Sequence, residues 1–219
     1  MRQARVTRLL VCAFLLAGAA NAATIVLSED FDSGLIPVNW TVVDNVGTGR
    51  VWTTTWAIGM PNFTGGSGSA AVFNSDWDGG EFDTELRTPA IDLSGYSSAQ
   101  LSYLANYQDI GRSIDTLDLD ISTDGGSGWF NLLRWDEDHG LMWGAPGELV
   151  TIDLSGYLQP NVMLRWRYYD RSREAWDWYA QIDNVAITAD GAAVPEPGTV
   201  GLIAFGLLGL GFWRSRGRQ

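Results

Sequence analysis

Glu81-Phe82-Asp83-Thr84-Glu85 sets three carboxylates two residues apart, so that on a strand all three side chains point to one face. Paired carboxyl groups on one face can hydrolyse a glycosidic bond. One attacks the anomeric carbon, the other protonates the departing oxygen, and retention requires the two to stand about 5 to 5.5 Å apart. Gly79-Gly80 just ahead reads as a turn, and no substrate-lining pattern follows the triplet. In a chain this rich in acids such a triplet arises easily, so the reading is not an enzyme, with hydrolysis by Glu81, Asp83 and Glu85 as the alternative. His139 is the single histidine and sits in Asp136-Glu137-Asp138-His139-Gly140, a solvated acidic loop. With no G-x-S-x-G turn, a Ser-His-Asp triad has nothing to build on, and a transition-metal centre is equally short of ligands.

Ten of the eleven tryptophans lie between Trp40 and Trp178. Alternation places Trp52, Trp56 and Trp166 among apolar neighbours, as core. Trp135, Trp143, Trp176 and Trp178 stand instead among Asp, Glu, Arg and Gly. Aromatic faces beside carboxylates and guanidiniums suit sugars, so these four are the expected glycan platform. The competing reading has them close one end of the fold beneath long loops.

The elements that must carry these residues are short and alternating, punctuated by Gly, Asn, Asp and Pro, which is the pattern of an all-β antiparallel sandwich over residues 23–190. Strands are expected at Thr24 to Leu27, Trp40 to Val43, Val51 to Ile58 (with Trp52 and Trp56 on one face), Ala70 to Phe73, Val162 to Tyr169 and Ala180 to Thr188. A further one, Glu85 to Ile91, is confined to an edge or broken by Pro89. Gly65-Gly66-Ser67-Gly68-Ser69 reads as a flexible loop. Leu117 to Ile121 and Trp129 to Trp135 form a hairpin around Asp124-Gly125-Gly126. Asp118 and Asp120 alternate on one strand as Arg165 and Arg167 do on another, and the two strands are expected to lie side by side. Ile91-Asp92-Leu93-Ser94-Gly95-Tyr96 recurs as Ile152-Asp153-Leu154-Ser155-Gly156-Tyr157, marking two corners where the chain passes between sheets.

Both ends of the chain read as addresses. Arg2, Arg5 and Arg8 precede the apolar run Leu9 to Ala20, and Ala20-Asn21-Ala22 fits a cleavage site, so residues 1–22 are expected to be a signal peptide served by the Sec translocon and signal peptidase. Cys12, the one cysteine, falls inside it, leaving a mature chain without disulfides or thiol chemistry. Residues 191–219 hold Val194-Pro195-Glu196-Pro197, an uncharged run from Gly198 to Trp213, and Arg214, Arg216 and Arg218. As a helix the run between Glu196 and Arg214 spans roughly 25 Å, near the lower limit for crossing a hydrocarbon core, with the arginines held in the cytoplasm. Between the two addresses eight arginines face 25 acids, a net charge of about −17 without a single lysine. Such a surface repels phosphate backbones, and nucleic acid is excluded as a partner.

The tail resembles the PEP-CTERM sorting signal in all three of its parts. That resemblance implies cleavage near Pro195 to Pro197 by an exosortase, in bacteria that make extracellular polysaccharide. The protein would then be an inner-membrane-anchored precursor that passes to the cell surface or extracellular matrix. The segments Phe31 to Trp40, Leu86 to Leu93, Asp115 to Trp129 and Ile182 to Ile187 resemble the choice-of-anchor J domain, which is similar to the cleaved-adhesin and MAM-type jelly rolls. The likeness covers nearly all of residues 23–190 and implies a jelly-roll fold. It also implies a structural calcium ion, with Glu29, Asp44, Asp83 and Asp183 as candidate ligands. The Glu81 triplet is similar to the E-x-D-x-E motif of laminarinase-type hydrolases, which are also jelly rolls. Together these features predict an exported, exosortase-processed surface protein with a non-catalytic, adhesin-like domain that binds glycan. The alternatives are a secreted glycoside hydrolase and a structural matrix protein without a specific ligand.

Overall fold

The computed structural model of the protein describes residues 23–76, 80–109, 115–170 and 178–191. The expected signal peptide, the box Val194 to Pro197, the arginines Arg214, Arg216 and Arg218, and Trp176 lie outside the described residues.

Among the described residues there are eleven strands: β1 (Thr24–Glu29), β2 (Thr41–Asp44), β3 (Thr53–Thr54), β4 (Ala71–Asn74), β5 (Phe82–Arg87), β6 (Tyr96–Gln108), β7 (Asp115–Ser122), β8 (Phe130–Trp135), β9 (Glu148–Asp153), β10 (Met163–Asp170) and β11 (Tyr179–Gly191). They make two antiparallel sheets, the first in the order β3-β4-β11-β6-β9 with β1 also on β11, the second in the order β2-β5-β10-β7-β8. Thr24 at the start of β1 lies opposite Ala189 near the end of β11, so both ends of the domain leave from one end of the first sheet.

Alternation explains the packing. Along β10 the side chains of Leu164, Trp166 and Tyr168 are wholly buried, while Arg165, Arg167 and Tyr169 turn to the opposite face. Trp166 stacks on Trp40 (ring centroids 6.1 Å, 16°) and meets Tyr103 of the first sheet edge-on at 5.3 Å. A ring of this size removes roughly 150–250 Å² from water, and its burial contributes several kcal/mol to holding the sheets together.

Both repeated hexapeptides sit at changes of sheet, the first between β5 and β6, the second between β9 and β10. Each buries its leucine, Leu93 or Leu154, and each turns on an aspartate that accepts the backbone N–H of the serine two residues on (Asp92 from Ser94 at 2.9 Å, Asp153 from Ser155 at 2.8 Å). The hairpin of β7 and β8 and the adjacency of β7 and β10 are also as expected.

Three expectations change. The strand expected through Ile58 stops at Thr54, whose hydroxyl accepts the N–H of Ala57 and caps a single helical turn, Thr55–Ile58, closed by Gly59 at φ 67°. Trp56 therefore leaves the core and is 76% exposed, whereas Trp52 is buried. Second, β5 ends at Arg87, so Pro89 falls outside it and the strand lies between β2 and β10 rather than at an edge. Third, Gly65 to Ser69 is a fitted loop: the Ser69 N–H donates to Asp32, and a Cβ on Gly66 or Gly68 would collide with Asp183 or Asp32.

Candidate functional site

The outer face of the second sheet is built from charges in two layers. Asp83 and Glu85 of β5 and Asp118 and Asp120 of β7 lie against the sheet, nearly inaccessible to solvent, and arginines lie over them. Arg167 donates from Nε and Nη2 to both oxygens of Asp83 (2.7 and 2.6 Å), and Arg134 does the same to Asp118. Arg165 bridges strands, giving Nε to Asp120 and Nη1 to Glu85, each at 2.8 Å. Arg87 takes the other oxygen of Glu85, Asn45 donates to Asp83 and Glu85, and Asn131 donates to Asp120. Every oxygen of the four carboxylates thus has a donor. Burial pushes the Asp83 carboxyl upward, but its bonds to Arg167 and Asn45 and the charges of Arg167 and Arg165 outweigh this and hold it below the usual aspartate value. The expected facing of Asp118 and Asp120 with Arg167 and Arg165 is seen in the strand register, although Arg167 turns to β5 for its partner.

This geometry bears on the acidic triplet. Asp83 and Glu85 do share a face, while Glu81 precedes the strand. Hydrolysis needs a carboxylate at liberty to attack and another able to give up a proton. Asp83 and Glu85 are instead bound by charged donors on every oxygen.

An aromatic ring that sequence reasoning missed completes the face. Trp129, half-buried just before β8, carries the Arg165 guanidinium at 4.5 Å from its ring and that of Arg87 at 5.2 Å. Only the register that brings β5, β10 and β7 together reveals this, since Trp129 is 36 residues from Arg165 in sequence. Tyr169 lies under Arg167 at 4.7 Å.

The four tryptophans expected to form one platform divide. Trp135 is 6% exposed, belongs to the core and stacks on His139 (3.9 Å, 12°). His139 is thereby taken out of the solvated loop expected for it: its backbone pairs with Tyr107 and its Nδ1 meets Glu148 at 3.1 Å. Trp143 and Trp178 do come together, 5.5 Å apart, and Trp143 is 46% exposed. Phe63 and Tyr179 back Trp143, and the Tyr179 hydroxyl, which accepts the backbone N–H of Trp143, is pushed up to about 12 mainly by burial.

The four candidate calcium ligands likewise do not converge. Asp44 closes its own loop by accepting the N–H groups of Val46, Gly47 and Gly49, and Asp83 is held by Arg167. Glu29 and Asp183 sit on the paired strands β1 and β11. Asp183 is fully buried and accepts from Asn62, Thr64 and the Asn184 backbone. Its carboxyl is raised by burial, against those bonds, and the charge of Asp32 raises it further. Burial likewise raises Glu29. Among the described residues no cluster of three or more acidic, histidine or cysteine side chains is arranged to hold a metal.

Two antiparallel sheets packed on a continuous aromatic core, with a saturated charge layer outside one of them, define a module of the jelly-roll class. The chain belongs to the cleaved adhesin domain family, whose model matches residues 24–187, and the PEP-CTERM protein-sorting motif matches residues 193–216. It is similar to hemagglutinin A of Porphyromonas gingivalis, at 29% identity over 199 residues that cover 81% of this chain and 7% of that protein. The chain therefore spans less than a tenth of the hemagglutinin. The K1 cleaved adhesin domain of Lys-gingipain from the same organism superposes with a TM-score of 0.55 at 26% identity, covering 75% of this chain and 98% of that one. The K3 domain gives 0.56 at 23% identity, covering 76% and 99%. Domain and motif together describe an adhesin-like, exported and surface-associated protein.

Proposed function

We propose that the protein is displayed at the cell surface after exosortase processing of its tail, and that its domain holds polysaccharide without cleaving it. The observation that carries the binding reading is the Trp143 and Trp178 pair. Two indole rings 5.5 Å apart and inclined at 42°, with Trp143 46% exposed and backed by Phe63 and Tyr179, offer apolar ring faces on which pyranose rings can stack. The reading is non-catalytic because Asp83 and Glu85 are occupied by arginine and asparagine donors. Affinity electrophoresis through gels containing neutral polysaccharides tests it. At least one gel should retard the protein, and Trp143→Ala should run freely. Retardation by none would favour a matrix protein without a specific ligand, and unchanged retardation of the variant would refute the indole pair as the binding surface. A parallel assay for newly formed reducing ends should stay flat; turnover that disappears in Glu81→Gln would establish the hydrolase instead.

Calcium belongs to the same proposal in a narrower form. Asp32 adds its negative charge beside the buried Asp183 carboxyl, and no arginine pairs with either among the described residues. A hard divalent ion suits oxygen ligands of this kind and would relieve the charge at this end of the first sheet.

A further inference from the structure

We infer that the arginine-covered outer face of the second sheet is a separate carbohydrate site, one that selects sugars bearing a carboxylate, with Trp129 as its stacking surface. It rests on other residues than the Trp143 end, so either can fail alone.

Three observations lead to it. The first is layering. The acidic side chains of Asp83, Glu85, Asp118 and Asp120 are 3–11% exposed, whereas those of Arg87, Arg165, Arg167 and Arg134 are 13–47% exposed. Positive groups are uppermost although the face is neutral in sum, and four of the domain's eight arginines are gathered there. On a domain with a net charge of about −17, this is a place where a single negative group is welcome.

The second is hydrogen-bonding sense. All the acceptor oxygens of the four carboxylates are engaged. Among the described residues one terminal nitrogen of each of Arg87, Arg165 and Arg167 makes no hydrogen bond. The face therefore offers donors, and a ligand must bring acceptors, which a carboxylate supplies in the geometry a guanidinium prefers. The third is Trp129, whose ring carries the guanidiniums of Arg165 and Arg87 while the residue remains partly open to solvent. A ring beside free donors fits a pyranose that carries its charge at the edge, as a uronate does. A densely charged polyanion fits poorly, because the rest of the domain repels it.

Isothermal titration with two probes tests the inference: a short neutral gluco-oligosaccharide, and the same chain with one hexose oxidised at C6 to the uronate. The uronate probe should bind at least about tenfold more tightly at low salt and lose that advantage as ionic strength rises. Trp129→Ala and Arg87→Gln should each abolish the difference, and Leu149→Ser, on the other sheet and 69% exposed, should preserve it. Arg87→Gln decides the matter if Trp129→Ala unfolds, because Glu85 keeps Arg165 and Asn45. Equal affinity for the two probes, or a preference that survives in folded Arg87→Gln, overturns the site whatever the outcome at Trp143.

Discussion

Arg165→Met removes a side chain that ties β5 to β7 across β10, and the size of its effect follows from what is left behind. Arg165 gives one hydrogen bond to Glu85 and one to Asp120, whose side chains are 3% and 7% exposed. Hydrogen bonds to charged groups contribute about 1.5–3 kcal/mol each. Stacking on Trp129 adds roughly 0.5–1 kcal/mol. Against this, Glu85 keeps Arg87 and Asn45, Asp120 keeps Asn131, and methionine retains the apolar stem. The expected loss is about 3 kcal/mol, at the lower end of what breaking a buried ion pair costs. For a domain of this size that lowers Tm by roughly 6–12 °C. Urea unfolding followed by tryptophan fluorescence measures the loss. Arg165→Lys should fall in between, since an ammonium keeps the charge but cannot reach both acids in the planar fork. Combining Arg165→Met with Glu85→Gln and Asp120→Asn should restore much of the stability, because no buried charge then lacks a counterion. A single variant within about 0.5 kcal/mol of wild type, in the range of ordinary surface changes, would mean that the bridge is ornamental and the layered face is not held as described.

Asp83 is held below its ordinary value in the fold, so its ion pair contributes fully above about pH 4, the unfolded value, and is lost as pH falls through the lower folded value; Asp83→Asn should be less stable at pH 7 and show a flatter acid limb in thermal melts. Asp183 runs the other way: its raised value means the folded state keeps the proton longer, so without a cation stability falls as pH climbs from about 4 through the folded value. Calcium at a hundred times its Kd should raise stability by about 2.7 kcal/mol, or roughly 5–11 °C in Tm by differential scanning fluorimetry, and Asp183→Ala should abolish the shift; no shift in wild type would refute the calcium reading. Gly66→Ala forces a Cβ into the Asp183 carboxylate and should cost about 1–3 kcal/mol in urea unfolding, with an unchanged midpoint contradicting the tight loop.

Much of the fold was legible because apolar residues facing the other sheet alternate with polar ones facing away from it, as in β7 and β10, and because β-corners carry turn chemistry, as the two Ser-Gly hexapeptides do. β9 went unseen for the complementary reason: only Val150 of its six side chains is buried, so it alternates too weakly to stand out. The helical turn at Thr55 depends on a hydroxyl cap that competes with strand extension, a local choice that β-branched threonines conceal. The charged face was half visible, since alternating Asp and alternating Arg invite pairing. Which arginine takes which acid depends on side-chain reach across three strands, and Trp129 enters through that geometry alone. Trp135 misled because polar sequence neighbours do not forbid burial at a strand end, where His139 folds back over its ring.

The pairing of Thr24 with Ala189 makes the two ends of the sandwich unlike. From Ala189, β11 runs ten residues back to Tyr179, roughly 30 Å of extended chain, to reach the neighbourhood of Trp178 and Trp143. Any chain continuing past Gly191 leaves the sandwich from that same end, so the indole pair stands a full strand's length from the point of exit.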